Sequence, residues 1–120
     1  MMTKIKVVRI YEHEQPAGYR ILVDRLWPRG KSKKDANLDE WVKEIGPSTE
    51  LRKWFNHDDT KYPEFRQKYI AELKHNPATT AFVAQVKDEL AEQDVLFLYG
   101  AKNKEHNQAV VLKEYVEQRL

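Results

Sequence analysis

Cysteine is absent from the 120-residue chain. That excludes disulfides, thiolate zinc sites, iron–sulfur clusters and a cysteine nucleophile, and it fits a reducing compartment. Glycine (4) and proline (5) are scarce, which argues against collagen-like or low-complexity architecture. Charge of one sign is not in excess: 21 Lys and Arg face 19 Asp and Glu. The whole molecule is therefore no polycation built to coat nucleic acid. Long hydrophobic runs are missing too. The longest, Val95 to Tyr99, is far short of a membrane span, and Met1 to Tyr11 lacks the apolar core of a secretory signal. What remains is 41% apolar and 33% charged residues, enough for one well-buried core. These features predict a soluble, cytoplasmic, single domain over residues 1–120, with no membrane contact.

The pattern along the chain predicts an α/β domain. Lys4 to Tyr11 alternates apolar and basic residues and reads as a strand; Tyr19 to Asp24 reads as a second, more buried one. The loop between them is too short for an ordinary crossover helix, so parallel neighbours and a hairpin both stay open. Lys31 to Asn37 reads as a charged loop. Asn37 with Glu40 resembles a capping box, and Leu38, Trp41, Val42 and Ile45 share one helical face that Gly46-Pro47 would end. Further helices are expected over Ser48 to Phe55, after Pro63 with Phe65, Tyr69 and Leu73 inward, and after Asn76-Pro77 with Phe82, Val83, Val86 and Leu90 inward. Val95 to Tyr99 has no polar alternation, as suits a strand covered on both faces. A last helix buries Ala109, Leu112 and Val116. Strands separated by helices give a small, mostly parallel sheet flanked by helices.

In such sheets ligands bind beyond the carboxyl ends of the strands. Two segments rich in functional groups follow predicted strands. The first holds Asp24, Arg25, Trp27 and Arg29; the second runs from Tyr99 through Lys102 to His106 and Asn107. If their strands are parallel neighbours, the two loops face each other across a crevice. Arg25 and Arg29 offer guanidinium forks suited to phosphate or carboxylate. Trp27 offers a stacking surface, and Asp24 an orienting carboxylate or a base. With a helix starting near Asn103 to Glu105, His106 falls in the first turn, where the dipole disfavours imidazolium and leaves a neutral proton-transfer group. Structural readings stand beside these. Asp24 and Arg25 can form an ordinary ion pair while Leu26 and Trp27 fill core, and Asn103 can merely cap the helix. A third cluster, Trp54 to Asp59 with Asn56, His57 and Asp58 at its centre, reads either as a helix C-cap or as a loop reaching over the crevice. No metal-ligand spacing, Walker loop, GxGxxG or GxSxG elbow is present. No metal and no cofactor are expected.

Val23 to Gly30 (VDRLWPRG) resembles the YeaO-like family of small bacterial proteins, a branch of the domain-of-unknown-function family numbered four hundred and eighty-eight. Leu38 to Trp41 (LDEW), Leu51 to Asp58 (LRKWFNHD) and the stretch from Leu98 through His106 and Asn107 to Leu112 agree with it in the same order. Asn56 stands where that family usually has Gly, Gly100 where it has Ala, and Asn103 where it has Asp. The resemblance implies an α/β fold with a parallel sheet. In other branches a Cys-His-Arg motif opens the last helix. His106 matches its histidine, but Glu105 and Asn107 replace the Cys and Arg, so thiol chemistry does not carry over. If the family Gly is left-handed at a helix C-cap, Asn56 is the next-best residue there.

Together these readings point to an anion- or phosphate-binding crevice, with a small phosphorylated or nucleotide-like ligand as partner. His106, Asp24 and Tyr99 are the candidate catalytic groups. Arg25, Trp27, Arg29, Trp54, His57, Asp58, Lys102 and Asn107 are the candidate ligand contacts. Two readings stand beside an enzyme: a non-catalytic nucleotide-binding regulatory module using the same crevice, and a nucleic-acid adaptor using the basic stretch Arg29 to Lys34.

Overall fold

The computed structural model describes residues 2–120. Four strands form one sheet: β1 (Ile5–Arg9), β2 (Tyr19–Leu22), β3 (Glu40–Trp41) and β4 (Val95–Tyr99). Their spatial order is β1-β4-β2-β3, and every neighbouring pair is parallel. The last strand in the sequence is thus central. It pairs Ile5 with Val95 on one side and Tyr19 with Val95 on the other. β1 and β2 are parallel but not neighbours, so β4 separates them and no hairpin exists between them.

The alternation of β4 divides two cores. Val95, Phe97 and Tyr99 join the main cluster, while Leu96 and Leu98 join a smaller one on the opposite face. All five residues are buried, which explains why VLFLY carries no polar alternation. The main cluster is covered by α2 (Thr49–Phe55), α3 (Tyr62–His75), α4 (Thr79–Leu90) and α5 (Gln108–Glu117). Phe65, Tyr69 and Leu73 form the buried face of α3, and Phe82 and Val86 that of α4. No helix among the described residues is long and apolar enough to cross a membrane.

The second face has a thinner cover. The predicted charged loop contains a one-turn helix, α1 (Lys33–Ala36), capped by the Ser32 side chain, and Ala36 packs beside Leu22, Leu96 and Leu98. The helix expected around Leu38 to Ile45 does not form. Asn37 takes a left-handed φ of 48° and closes α1 rather than opening a new helix. Beyond it the backbone joins the edge of β2: Asp39 N–H donates to Arg20 O and Val42 N–H to Leu22 O. Arg20 N–H also donates to Asp39 Oδ2 at 2.8 Å. An open sheet edge offers these hydrogen bonds at long range, and they outweigh the local apolar spacing. Only a single 3-10 turn, Lys43–Ile45, remains helical before Gly46.

Candidate functional site

β2 and β4 end side by side, so the chain leaving each enters the same region. A cleft of about 990 Å³ opens there. Asp24, Arg25, Trp27 and Arg29 line it from one side, and Gly100, Lys102, His106, Asn107 and Gln108 from the other. Arg25 and His106, 81 positions apart (106 − 25), therefore share one cavity.

Asp24 is a half-buried carboxylate at the base of this cleft. Its Oδ2 accepts from Gly100 N–H at 2.8 Å, and Oδ1 accepts from the Gln108 side-chain amide. Burial pushes its carboxyl up from 3.8 to about 6, against the pull of the Gly100 amide, the Arg52 guanidinium and Gln108. A carboxyl with that affinity exchanges its proton near neutral pH. Gly100 is packed close to it: a Cβ there would lie 3.3 Å from Asp24 Oδ2.

Arg25 does not pair with Asp24. Its Nε donates to Pro47 O at 2.8 Å and one terminal nitrogen to Gly46 O at 2.9 Å. Two carbonyls at the end of the 3-10 turn thus hold it, and it braces the wall. Leu26 does not fill core either, being 57% exposed. Trp27 lies edge-on to Trp41 with centroids 5.3 Å apart and donates to Lys31 O. Trp41 in turn donates to Asp24 O at 2.8 Å.

α5 begins at Gln108, five residues later than the sequence suggests at its earliest (108 − 103), and Asn107 is its N-cap, accepting from Val110 N–H. His106 therefore precedes the cap instead of sitting in the first helical turn, and the helix dipole is not what defines its environment. Its backbone N–H donates to Asn103 Oδ1. Its ring is stacked on Tyr62, centroids 4.5 Å apart and planes 27° from parallel. Nδ1 lies 3.3 Å from Asp59 Oδ1.

The third cluster divides. Asn56 closes α2 with φ 45°, and His57 follows at φ 56°, a region that side-chain-bearing residues enter rarely. This pair of left-handed residues turns His57 toward the cleft, which it lines. Asp58 faces elsewhere and caps the following turn through Thr60. Trp54 lies outside the cleft, beneath Lys61 and Lys68, whose ammonium groups are 5.1 and 4.4 Å from its ring centroid. Tyr99 is buried in the main core, and burial raises its hydroxyl's pKa; it does not line the cleft.

Arg9, Tyr11, Arg52, Lys53 and Gln108 line the cleft with no sequence signal that singles them out, and Asp59 stands in the sequence only as the end of the third cluster. Arg52 and Lys53 belong to α2, where alternating charge reads as an ordinary solvated face. Arg9 donates to Ala101 O and lies 4.8 Å from the Tyr11 ring centroid, while Tyr11 donates to Arg29 O. Six Lys and Arg (Arg9, Arg25, Arg29, Arg52, Lys53, Lys102) face two carboxylates, Asp24 and Asp59, across the cavity. Arg29, Arg52, Lys53 and Lys102 have no side-chain hydrogen bond or ion pair among the described residues.

The family model for the domain of unknown function DUF488 matches residues 6–116. The chain is 47% identical over 113 residues to the uncharacterized protein YeaO of Escherichia coli K12, covering 93% of this chain and 96% of that one. It is 42% identical over 80 residues to the uncharacterized proteins Rv3073c of Mycobacterium tuberculosis and Mb3100c of Mycobacterium bovis, covering 66% of this chain and 67% of each. No solved structure matches it.

Proposed function

The chain belongs to the DUF488 family, and we propose that its cleft binds a small phosphorylated, nucleotide-like ligand, with His106 as the proton-transfer group. The observation that carries this reading is the set of four cationic side chains, Arg29, Arg52, Lys53 and Lys102, that line one cavity without partners of their own. Unpaired cations repel one another, and an anion with several oxygens relieves that repulsion while gaining charge-assisted hydrogen bonds. The position beyond the carboxyl ends of parallel strands is where α/β sheets bind ligands. The cavity volume of about 990 Å³ suits a ligand of nucleotide size, since small-molecule sites run to about 1,000 Å³. Trp27 and Tyr11 supply aromatic surface on the same wall.

The test is a thermal-shift and calorimetric screen of inorganic phosphate, nucleoside monophosphates and sugar phosphates. A ligand of the folded state raises the melting point. Arg52→Ala and Lys102→Ala are expected to weaken that ligand together, each by about tenfold. If no phosphorylated compound shifts the wild-type melting point, the reading fails. The nucleic-acid alternative uses the stretch Arg29 to Lys34, of which Arg29 lines the cleft while Lys33 and Lys34 stand on α1 outside it. Steeply salt-dependent binding to DNA or RNA, abolished by Lys33→Ala with Lys34→Ala but not by Arg52→Ala, would favour it.

A further inference from the structure

Resting on the reading of the cleft above, we propose that Asp59 is the positioning residue of His106: it keeps the proton on Nδ1 and leaves Nε2 as the basic atom offered to a bound ligand. Nδ1 lies 3.3 Å from Asp59 Oδ1. A carboxylate only accepts, so the ring nitrogen facing it is the one that carries hydrogen. Nε2 has no hydrogen-bond partner among the described residues.

The carboxylate is itself held. Asn103 Nδ2 donates to both Asp59 oxygens, at 3.1 and 3.3 Å. The other end of the same amide accepts from the backbone N–H of His106 at 2.9 Å. Asn103 thus ties Asp59 to the segment that carries the imidazole. Tyr62 fixes the ring plane from below. Asp59 opens the 3-10 turn Asp59–Lys61, and Tyr62 is the first residue of α3, so both come from one short stretch of chain. Asp59 and His106 both line the cleft, and their side chains are 60% and 42% exposed. A ligand can reach the pair without any rearrangement.

The absence of cysteine makes a direct test available. Iodoacetate alkylates imidazole at whichever nitrogen holds the lone pair: a bond forms from that nitrogen to the methylene carbon as the carbon–iodine bond breaks and iodide leaves. No thiol competes. On the full chain, His106 is expected to be carboxymethylated at Nε2, as identified by peptide mapping and NMR of the modified histidine. In Asp59→Asn the amide N–H can donate to Nδ1 and invert the tautomer, so Nε2 modification is expected to fall about tenfold or more. Asp59→Glu is expected to restore it. Long-range proton–nitrogen NMR reads the same tautomer without a reagent: Nδ1–H in the wild type, Nε2–H in Asp59→Asn.

Modification of wild-type His106 at Nδ1, or unchanged rate and tautomer in Asp59→Asn, would overturn the assignment. The neutral analogue iodoacetamide separates the two proposals. If the cations draw anions, iodoacetate reacts with His106 faster than iodoacetamide does. Equal rates with Nε2 selectivity intact would sink the anion reading and leave Asp59 in its positioning role.

Discussion

The two ends of the sheet each place an aspartate against backbone amides, and the two carboxylates respond in opposite directions. At the amino end, Asp94 accepts from Lys4 N–H at 2.9 Å and pairs with Lys6 at 3.1 Å. Those contacts pull its pKa below the ordinary value. At the carboxyl end, Asp24 also accepts from a backbone amide, yet burial outweighs it and the pKa rises to about 6. Asp94 has a cation bonded to it at the surface. Asp24 has cations around it that are not bonded to it. One end has its charges matched and serves the fold; the other keeps several of them unmatched, which is the condition for holding a ligand.

The sharpest way to break the matched end is Gly18→Ala. Gly18 has φ 156°, and a Cβ there would lie 2.7 Å from Asp94 O, a backbone atom unable to yield cheaply. Tyr19 N–H donates to the same carbonyl. The expected loss is about 3 kcal/mol in denaturant unfolding. Gly46→Ala is no substitute, since its obstruction would act on Arg25 and the cleft wall.

At the unmatched end the sign reverses. The native pKa of Asp24 lies above its ordinary 3.8, so the folded state binds the proton more tightly. Stability therefore falls as pH rises from about 4 to about 6, and the whole cost is present above that window. Asp24→Asn removes the cost and keeps the Gly100 contact, provided Gln108 turns its amide to present oxygen. It is expected to stabilise the protein by about 2 kcal/mol at pH 7.5, with the difference shrinking toward zero by about pH 4.

Asn56→Ala forces an alanine into a left-handed conformation and is expected to cost about 1 kcal/mol, whereas Asn56→Gly is expected to be neutral or slightly stabilising. The smallest effect belongs to Asp94→Asn. It is expected to lower the melting point slightly at neutral pH. The difference disappears as pH falls through the depressed pKa of Asp94, because the wild-type carboxylate is then protonated as well.

The sequence made the buried parts of the fold readable. Five apolar residues in Val95–Tyr99 could belong only to a strand covered twice, and Phe65, Tyr69 and Leu73 could face only one way on a helix. Asn56 was readable because few residues tolerate its backbone. Leu38 to Ile45 misled because apolar spacing reports local geometry, whereas the hydrogen bonds of β3 go to a strand about twenty residues away. The start of α5 was misplaced for a related reason: Asn103 uses its side chain to cap a loop, and Asn107 caps the helix. In the site, Asp24 and His106 were visible as polar residues after strands. Arg52 was not, since a charge on a short surface helix looks the same whether it faces water or a cavity, and Asp59 stood in the third cluster with no role that the sequence could assign. Asp24 and Arg25, adjacent in sequence, proved to serve different partners.

The central place of β4 also has a temporal meaning. β1 and β2 lie on either side of it and have no hydrogen bonds to each other, so during synthesis 85 residues follow β1 (95 − 9 − 1) and 72 follow β2 (95 − 22 − 1) before either can join β4. Loop closure over such separations slows folding and leaves edges bare in the meantime. The three-stranded core β1-β4-β2 and the cleft above it should accordingly form together and late, and a chain truncated before Val95 should keep at most the β2–β3 pair and yield no sheet joining β1 to β2.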